Sequence, residues 1–405
     1  MDNLLIWGVV ILAGLVIAQI MRVFELTKKL TKVNEWEVTP SESRNQALSW
    51  VIYMIGFAAF FIWLYYRYGY LMLTVSGSEH GETIDTLLWS NFAIIILVFA
   101  FTHIILIYFT WKYRARVGGK ADYVTHNNKL ELVWTTIPAV VLAIIITYGI
   151  STWDTVMMSF DNEGEEVINV ELYAKQFDWT ARYGGADNEI GEFNFRMIDP
   201  ATNPLGMITN ATIESQLVML DKKIAKVEAS KSDVFPGGKA EEKIQDKIDQ
   251  LIKQKNVVLD YQKRSKQTAF TKGKDDVLAK VEFHIPVNKM VKFQIRSQDV
   301  IHSAYMPHFR AQMNAVPGAV TRFQFKPIHT TAEMRDLKEN PDFNYLLYCN
   351  KICGTAHYNM QMVIVVDSEA DYQKWLSEQP TFEPAVGMAE AETTELENSS
   401  IVALK

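Results

Sequence analysis

Four long apolar runs dominate the first 150 residues, at 4–21, 48–66, 92–113 and 132–150. A helix needs about 20 mostly apolar residues to cross a bilayer, so each run predicts a membrane-spanning helix. The chain opens Met1-Asp2-Asn3 with no basic stretch, and no small-residue cleavage site comes after it, so the first span is expected to stay as an anchor. Arg22, Lys28, Lys29 and Lys32 come after the first span, and Lys112, Arg114, Arg116 and Lys120 after the third. Between the second and third spans stand Glu79, Glu82 and Asp85, with Arg67 the one basic residue. Basic loops face the cytoplasm, which puts the N-terminus and everything after about residue 151 outside. In a bacterial inner membrane the C-terminal part is then periplasmic. Trp7, Trp50, Trp89, Trp111 and Trp153 mark the span ends, where amphipathic rings settle among lipid headgroups. Thr102 and His103, mid-span, read as a polar pair facing a neighbouring helix, and His103 is assigned no function.

Beyond residue 166 the period changes. Short runs at 167–174, 177–183, 280–285, 291–296, 320–325, 345–349 and 362–367 are rich in β-branched and aromatic residues. In the fourth of them Val291, Phe293 and Ile295 alternate with polar residues, as a strand with one buried face does. Separated by Gly, Pro and Asn turns, these strands predict a β-sandwich. Residues 210–265 break the pattern. Ile213, Leu217, Leu220, Ile224 and Val227 form a heptad seam, and Ile244, Ile248, Leu251 and Val258 repeat it after a turn through Pro236-Gly237-Gly238. An antiparallel helical hairpin inserted between two strands is expected. From residue 377 to 405 the chain turns Glu-, Ala- and Thr-rich, the composition of a flexible acidic tail.

The chain has 405 residues, 49% hydrophobic and 21% charged, which excludes a disordered or collagen-like protein. A net charge of -7 speaks against a nucleic-acid partner and suits a basic protein partner. Asp161, Glu163, Glu165 and Glu166 are candidates to steer one. The two cysteines, Cys349 and Cys353, are too few for a disulfide framework, and no Cys-x-x-Cys-His occurs, which excludes covalently attached haem.

Those cysteines sit in Tyr348-Cys349-Asn350-Lys351-Ile352-Cys353-Gly354-Thr355-Ala356-His357-Tyr358-Asn359-Met360. Two thiols, an imidazole and a thioether so close together form a soft donor set that suits copper. His302, in Asp299-Val-Ile-His302-Ser, offers a second imidazole from another loop at the same end of a sandwich. A closed Cys2His2 zinc site and a simple disulfide are the competing readings, and spacing alone leaves them open.

This loop occurs together with Ala315-Val-Pro-Gly318, with Glu131-Leu-Val-Trp134-Thr-Thr-Ile-Pro138 and with an outer β-domain. The combination resembles subunit II of the haem–copper cytochrome c oxidases over about residues 90–200 and 275–380. With the four spans and the hairpin already read from the sequence, the expected chain is membrane-anchored α+β: four N-terminal transmembrane helices, then the cupredoxin-like Greek-key β-sandwich that the resemblance implies, carrying the inserted hairpin. The expected segments are 1–47, 48–91, a transmembrane hairpin at 92–152, the cupredoxin domain at 153–376 and the tail at 377–405. The resemblance also implies a dinuclear copper centre of the CuA type. Cys349 and Cys353 would bridge both ions, with His302, His357, Met360 and the Lys351 carbonyl completing the set. Electrons would enter from a c-type cytochrome near Phe177 and Trp179 and pass to haem held in subunit I, so dioxygen chemistry is not expected in this chain. Glu131 would stand at the mouth of a proton path. The implied partners are subunit I, other oxidase subunits, the donor cytochrome and membrane lipid.

Three positions depart from the pattern. Phe177 stands where many members carry the tryptophan of electron entry. Lys351 and Asn314 stand where carboxylates usually help hold a magnesium or manganese ion at the subunit I interface, and an ammonium cannot ligate a cation. The two N-terminal spans and the insertion are additions to a two-span core. The alternative is a membrane-anchored copper-binding or copper-delivery protein.

Overall fold

A computed structural model of the chain describes residues 2–30, 39–158, 164, 166–264 and 270–383, in two compact units. The acidic candidates Asp161, Glu163 and Glu165, and the tail beyond residue 383, lie outside them. The first unit, residues 1–72 and 90–142, is helical. It is built from α1 (Asp2–Leu30), α2 (Pro40–Tyr68), most of α3 (Glu79–Lys112) and α4 (Asn128–Trp153). All four contain windows apolar enough to span a bilayer. Thr39 and Glu42 close a reciprocal cap on the first turn of α2, satisfying amides that a helix start leaves unpaired. In α3 the His103 Nδ1 bonds the Phe99 carbonyl at 2.8 Å, and Thr102 bonds that of Val98 at 2.9 Å. Both polar groups are satisfied within α3 itself, since a carbonyl one turn back is always in reach.

The second unit joins residues 73–89 to everything from 143 onward. Its strands are β1 (Val167–Lys175), β2 (Asp178–Tyr183), β3 (Val277–Ala279), β4 (Glu282–Pro286), β5 (Met290–Ser297), β6 (His302–Met306), β7 (Ala311–Ala315), β8 (Thr321–Phe325), β9 (Tyr345–Cys349) and β10 (Gln361–Asp367). They form two five-stranded sheets, ordered β3-β2-β1-β5-β8 and β4-β10-β9-β6-β7. Val170, Leu172, Phe283, Phe293, Leu347 and Ile364 meet between the sheets in the main core. Apolar burial of this kind is the chief force holding two sheets face to face. Short helices α7 (Thr331–Leu337) and α8 (Glu369–Glu378) complete the domain, and the sandwich keeps its grip on the chain to Phe382, which is buried beside Leu205.

The insertion leaves after β2 and returns at β3. Its helices α5 (Asn210–Ala229) and α6 (Lys239–Arg264) pack along the expected seam, burying Ile213, Leu220, Ile248 and Val258. The chain around the insertion also roofs the outer face of the first sheet, where Leu205 and Met207 cover Tyr173, so β1 is buried on both sides. Beneath that roof Glu171 pairs with Arg182 at 2.7 Å and also with Arg296, while Arg182 reaches Asp276 at 3.3 Å. Buried ions need such mutual satisfaction, because each unpaired one costs several kcal/mol.

Candidate metal centre

One end of the sandwich gathers every side chain of the expected donor set. Strand β9 delivers Cys349 at its last residue, and the chain loops out and returns so that the Cys349 amide donates to the Met360 carbonyl at 3.0 Å. A 3-10 turn at His357–Asn359 aims His357 back into the loop. Antiparallel pairing of Ala304 with Cys349 sets β6 alongside, which brings up His302. His302 is the first residue of that strand rather than part of a loop, because its backbone already pairs with Ala315 of β7.

The two sulfurs lie 3.9 Å apart and both cysteines are free. A disulfide needs about 2.05 Å, so the disulfide reading does not describe this structure. Two thiolates sharing a metal at about 2.3 Å each can sit up to ~4.6 Å apart, so the spacing fits a bridged ion. Each sulfur has its own imidazole: Cys349 Sγ lies 3.8 Å from His302 Nδ1, and Cys353 Sγ lies 3.5 Å from His357 Nδ1. Each also has a weaker donor, the Lys351 carbonyl 3.2 Å from Cys349 and Met360 Sδ 3.8 Å from Cys353. His302, Cys349 and Cys353 offer ligand atoms all within 4.8 Å of one another. Together they are a soft donor set fit for copper; a closed zinc tetrahedron leaves the thioether unused.

The surroundings hold this geometry. Asp299 accepts from His302 Nε2 at 2.9 Å, which leaves Nδ1 facing the sulfurs. Partial burial opposes the charge on Asp299, but bonds from the Gln176 and Val300 amides and from His302 outweigh it and keep the carboxyl below its ordinary pKa. The Gln176 side chain donates to the Cys353 carbonyl. Burial first, and the Cys349 thiol second, push Cys353 up to about 11, so metal binding must displace its proton. The sequence motifs contain Asp299 and Gln176 without pointing to a task for either. An acid three residues ahead of a candidate histidine ligand was the available signal.

Phe177 and Trp179 both face the core, one step apart. Phe177 is half-buried against Gly354 at the tip, whereas Trp179 is wholly buried, its ring 6.2 Å from that of His302. Trp179 thus forms a wall behind His302, and Phe177 is the one of the pair that reaches the surface. The most exposed large side chains of the loop are instead Ile352 and Tyr358, at 87% and 88%. Glu131 is exposed in the first turn of α4, and Asn314 and the Lys351 side chain are exposed near the loop.

Residues 67–151 match the family model for the cytochrome c oxidase subunit II transmembrane domain, and residues 256–368 match that for its periplasmic domain. The chain belongs to the cytochrome c oxidase subunit II family. It is accordingly a membrane-anchored bacterial protein with its C-terminal domain in the periplasm. The chain is 26% identical to an alternative cytochrome c oxidase subunit 2 of Bradyrhizobium diazoefficiens, across 83% of this chain and 93% of that one. It is 23% identical to cytochrome c oxidase subunit 2 of Cereibacter sphaeroides, across 72% and 75%. Among solved structures it is similar to the periplasmic domain of subunit II of the Bradyrhizobium japonicum cytochrome oxidase, at 18% identity and TM-score 0.25, across 52% of this chain and 91% of that one. The transmembrane match begins near the end of α2, so α1 and nearly all of α2 are additions to that core.

Proposed function

We propose that this chain is the electron-entry subunit of a cytochrome c oxidase: it accepts electrons from a c-type cytochrome at a dinuclear copper centre and hands them to haem in subunit I. One observation carries the reading. The donors fall into two similar halves, each a thiol with its own imidazole and one weak donor, around sulfurs close enough to be shared. Cys349 and Cys353 are the bridging ligands, His302 and His357 the terminal ones, and Met360 and the Lys351 carbonyl the weak ones. A copper pair bridged by thiolates supplies a one-electron relay whose charge is spread over two metals. The protein's part is to keep that cage still. Asp299 fixes the tautomer and tilt of His302, Trp179 walls it from behind, and Gln176 ties down the Cys353 backbone. Phe177 stands at the entry surface, and Glu131 is assigned to proton uptake for subunit I.

Metal analysis and electron resonance of the purified oxidase test the reading. Two coppers per chain sharing one unpaired electron are expected, and Cys353→Ser should abolish that shared signal while the sandwich stays folded. A single copper would favour the delivery-protein alternative. Glu131→Gln should slow oxygen consumption about tenfold or more with copper content intact; normal turnover would return Glu131 to a merely solvated acid.

A further inference from the structure

The magnesium or manganese ion that the resemblance implies at the subunit I interface finds no fitting residues in this chain. Hard divalent cations take oxygen ligands, with carboxylates prominent among them. Neither β6, β7 and β9 nor residues 350–360 contain an aspartate or glutamate. Amides and a hydroxyl line the side of these strands beside the copper loop, and they engage one another. Gln312 Nε2 donates to Ser303 Oγ at 3.3 Å and to Asn350 Oδ1 at 3.4 Å, and Asn314 lies opposite Ser303 in the ladder. Next to Asn350 comes Lys351, its carbonyl turned to Cys349 and its side chain exposed. Ile352 and Tyr358, almost wholly exposed, flank the same loop.

We propose that, in the assembled oxidase, the Lys351 ammonium stands in place of the interface metal ion and that no divalent cation binds there. The proposal rests on the oxidase reading of the copper site. A fixed positive charge serves as the resident cation, and once the face is covered and water is thinned out it repels a second one more strongly than it would in bulk solvent. The amides of Gln312, Asn314 and Asn350 leave the neighbouring strand face neutral, with no carboxylate to offer a divalent ion.

The test uses the whole detergent-purified oxidase from cells supplied with manganese, read by metal analysis and by the manganese resonance signal. The wild type should hold less than about one-tenth of a manganese per chain, and Asn314→Asp, which keeps the ammonium, no more than that. Lys351→Glu combined with Asn314→Asp should gain about one manganese per chain. A stoichiometric manganese in the wild type or in Asn314→Asp overturns the proposal. So does a double variant that keeps its copper yet gains no manganese. Copper and haem content of the wild-type sample report separately on the oxidase reading, so the two failures are distinguishable.

Discussion

Gly354 shows how far single residues control the cage. Its φ of +143° lies where side-chain-bearing residues are strained, and a Cβ there would come within 2.8 Å of the Phe177 ring and 2.9 Å of Gln176 Nε2. Gly354→Ala should therefore cost about 1–3 kcal/mol and displace the Gln176 side chain from the Cys353 carbonyl. Chemical denaturation and copper retention during dialysis check this; unchanged values would mean the loop yields freely. The donor cluster itself was readable in the sequence, because two thiols, an imidazole and a thioether in one short segment have few uses. The convergence of His302 was readable as well, but the depth of Trp179 was not. Periodicity tells which way a side chain points, not how far the neighbouring loops extend past it.

Among the elements, seven strands were evident and three, β3, β6 and β7, were missed. In β6, His-Ser-Ala-Tyr-Met, and in β7, Ala-Gln-Met-Asn-Ala, no β-branched residue occurs, and β3 has only three residues, so propensity is silent where pairing decides. Helices α7 and α8 went unread, although Thr330 and Ser368, which cap their first turns, were the available signal. Glu171 in β1 and Arg182 in β2 are charged residues within runs that propensity identifies only as strands. Only the chain folded across them makes them a buried network, and that is a tertiary fact. The turn after β6 carries a pH dependence of its own. Burial, helped by the Lys338 and Arg310 charges, holds His308 to about 4 against an ordinary 6.5. Between those values the unfolded imidazole binds a proton and the folded one does not, so stability falls as the pH is lowered through that window. Partial exposure limits the loss to about 1–2 kcal/mol. Melting curves from pH 7 to pH 4 should show it, and His308→Gln should flatten the slope; equal slopes in both proteins would locate the acid sensitivity elsewhere.

At the scale of the molecule, the outer domain includes more than the chain beyond the fourth span. Residues 73–89 fold with it. The Gly77 amide donates to the His308 carbonyl at 2.7 Å, Ser78 Oγ to the Phe309 carbonyl at 2.7 Å, and the Ile328 amide back to Gly77 at 3.0 Å. Gly77 is packed so closely that a Cβ would sit 2.8 Å from the Tyr345 ring. Arg310 clamps the segment: its Nε and Nη2 each donate to the Asp85 carboxylate at 2.8 Å, with further bonds to the Thr74 and Pro307 carbonyls. The clamp is about nine-tenths buried on the arginine side, so removing its anion strands a charge rather than just deleting a contact. Tyr345 opens β9, the strand that ends on Cys349, so this segment braces the far end of the strand that presents the first thiol. Asp85→Ala should therefore cost about 3 kcal/mol in the full-length chain, whereas Asp85→Asn, which keeps part of the hydrogen bonding, should cost about half as much. Both should melt at lower temperature with copper still bound at 25 °C, since the cage itself is untouched. A periplasmic fragment begun at residue 166 should show the same deficit, and a fragment melting as high as the intact protein would prove the brace dispensable.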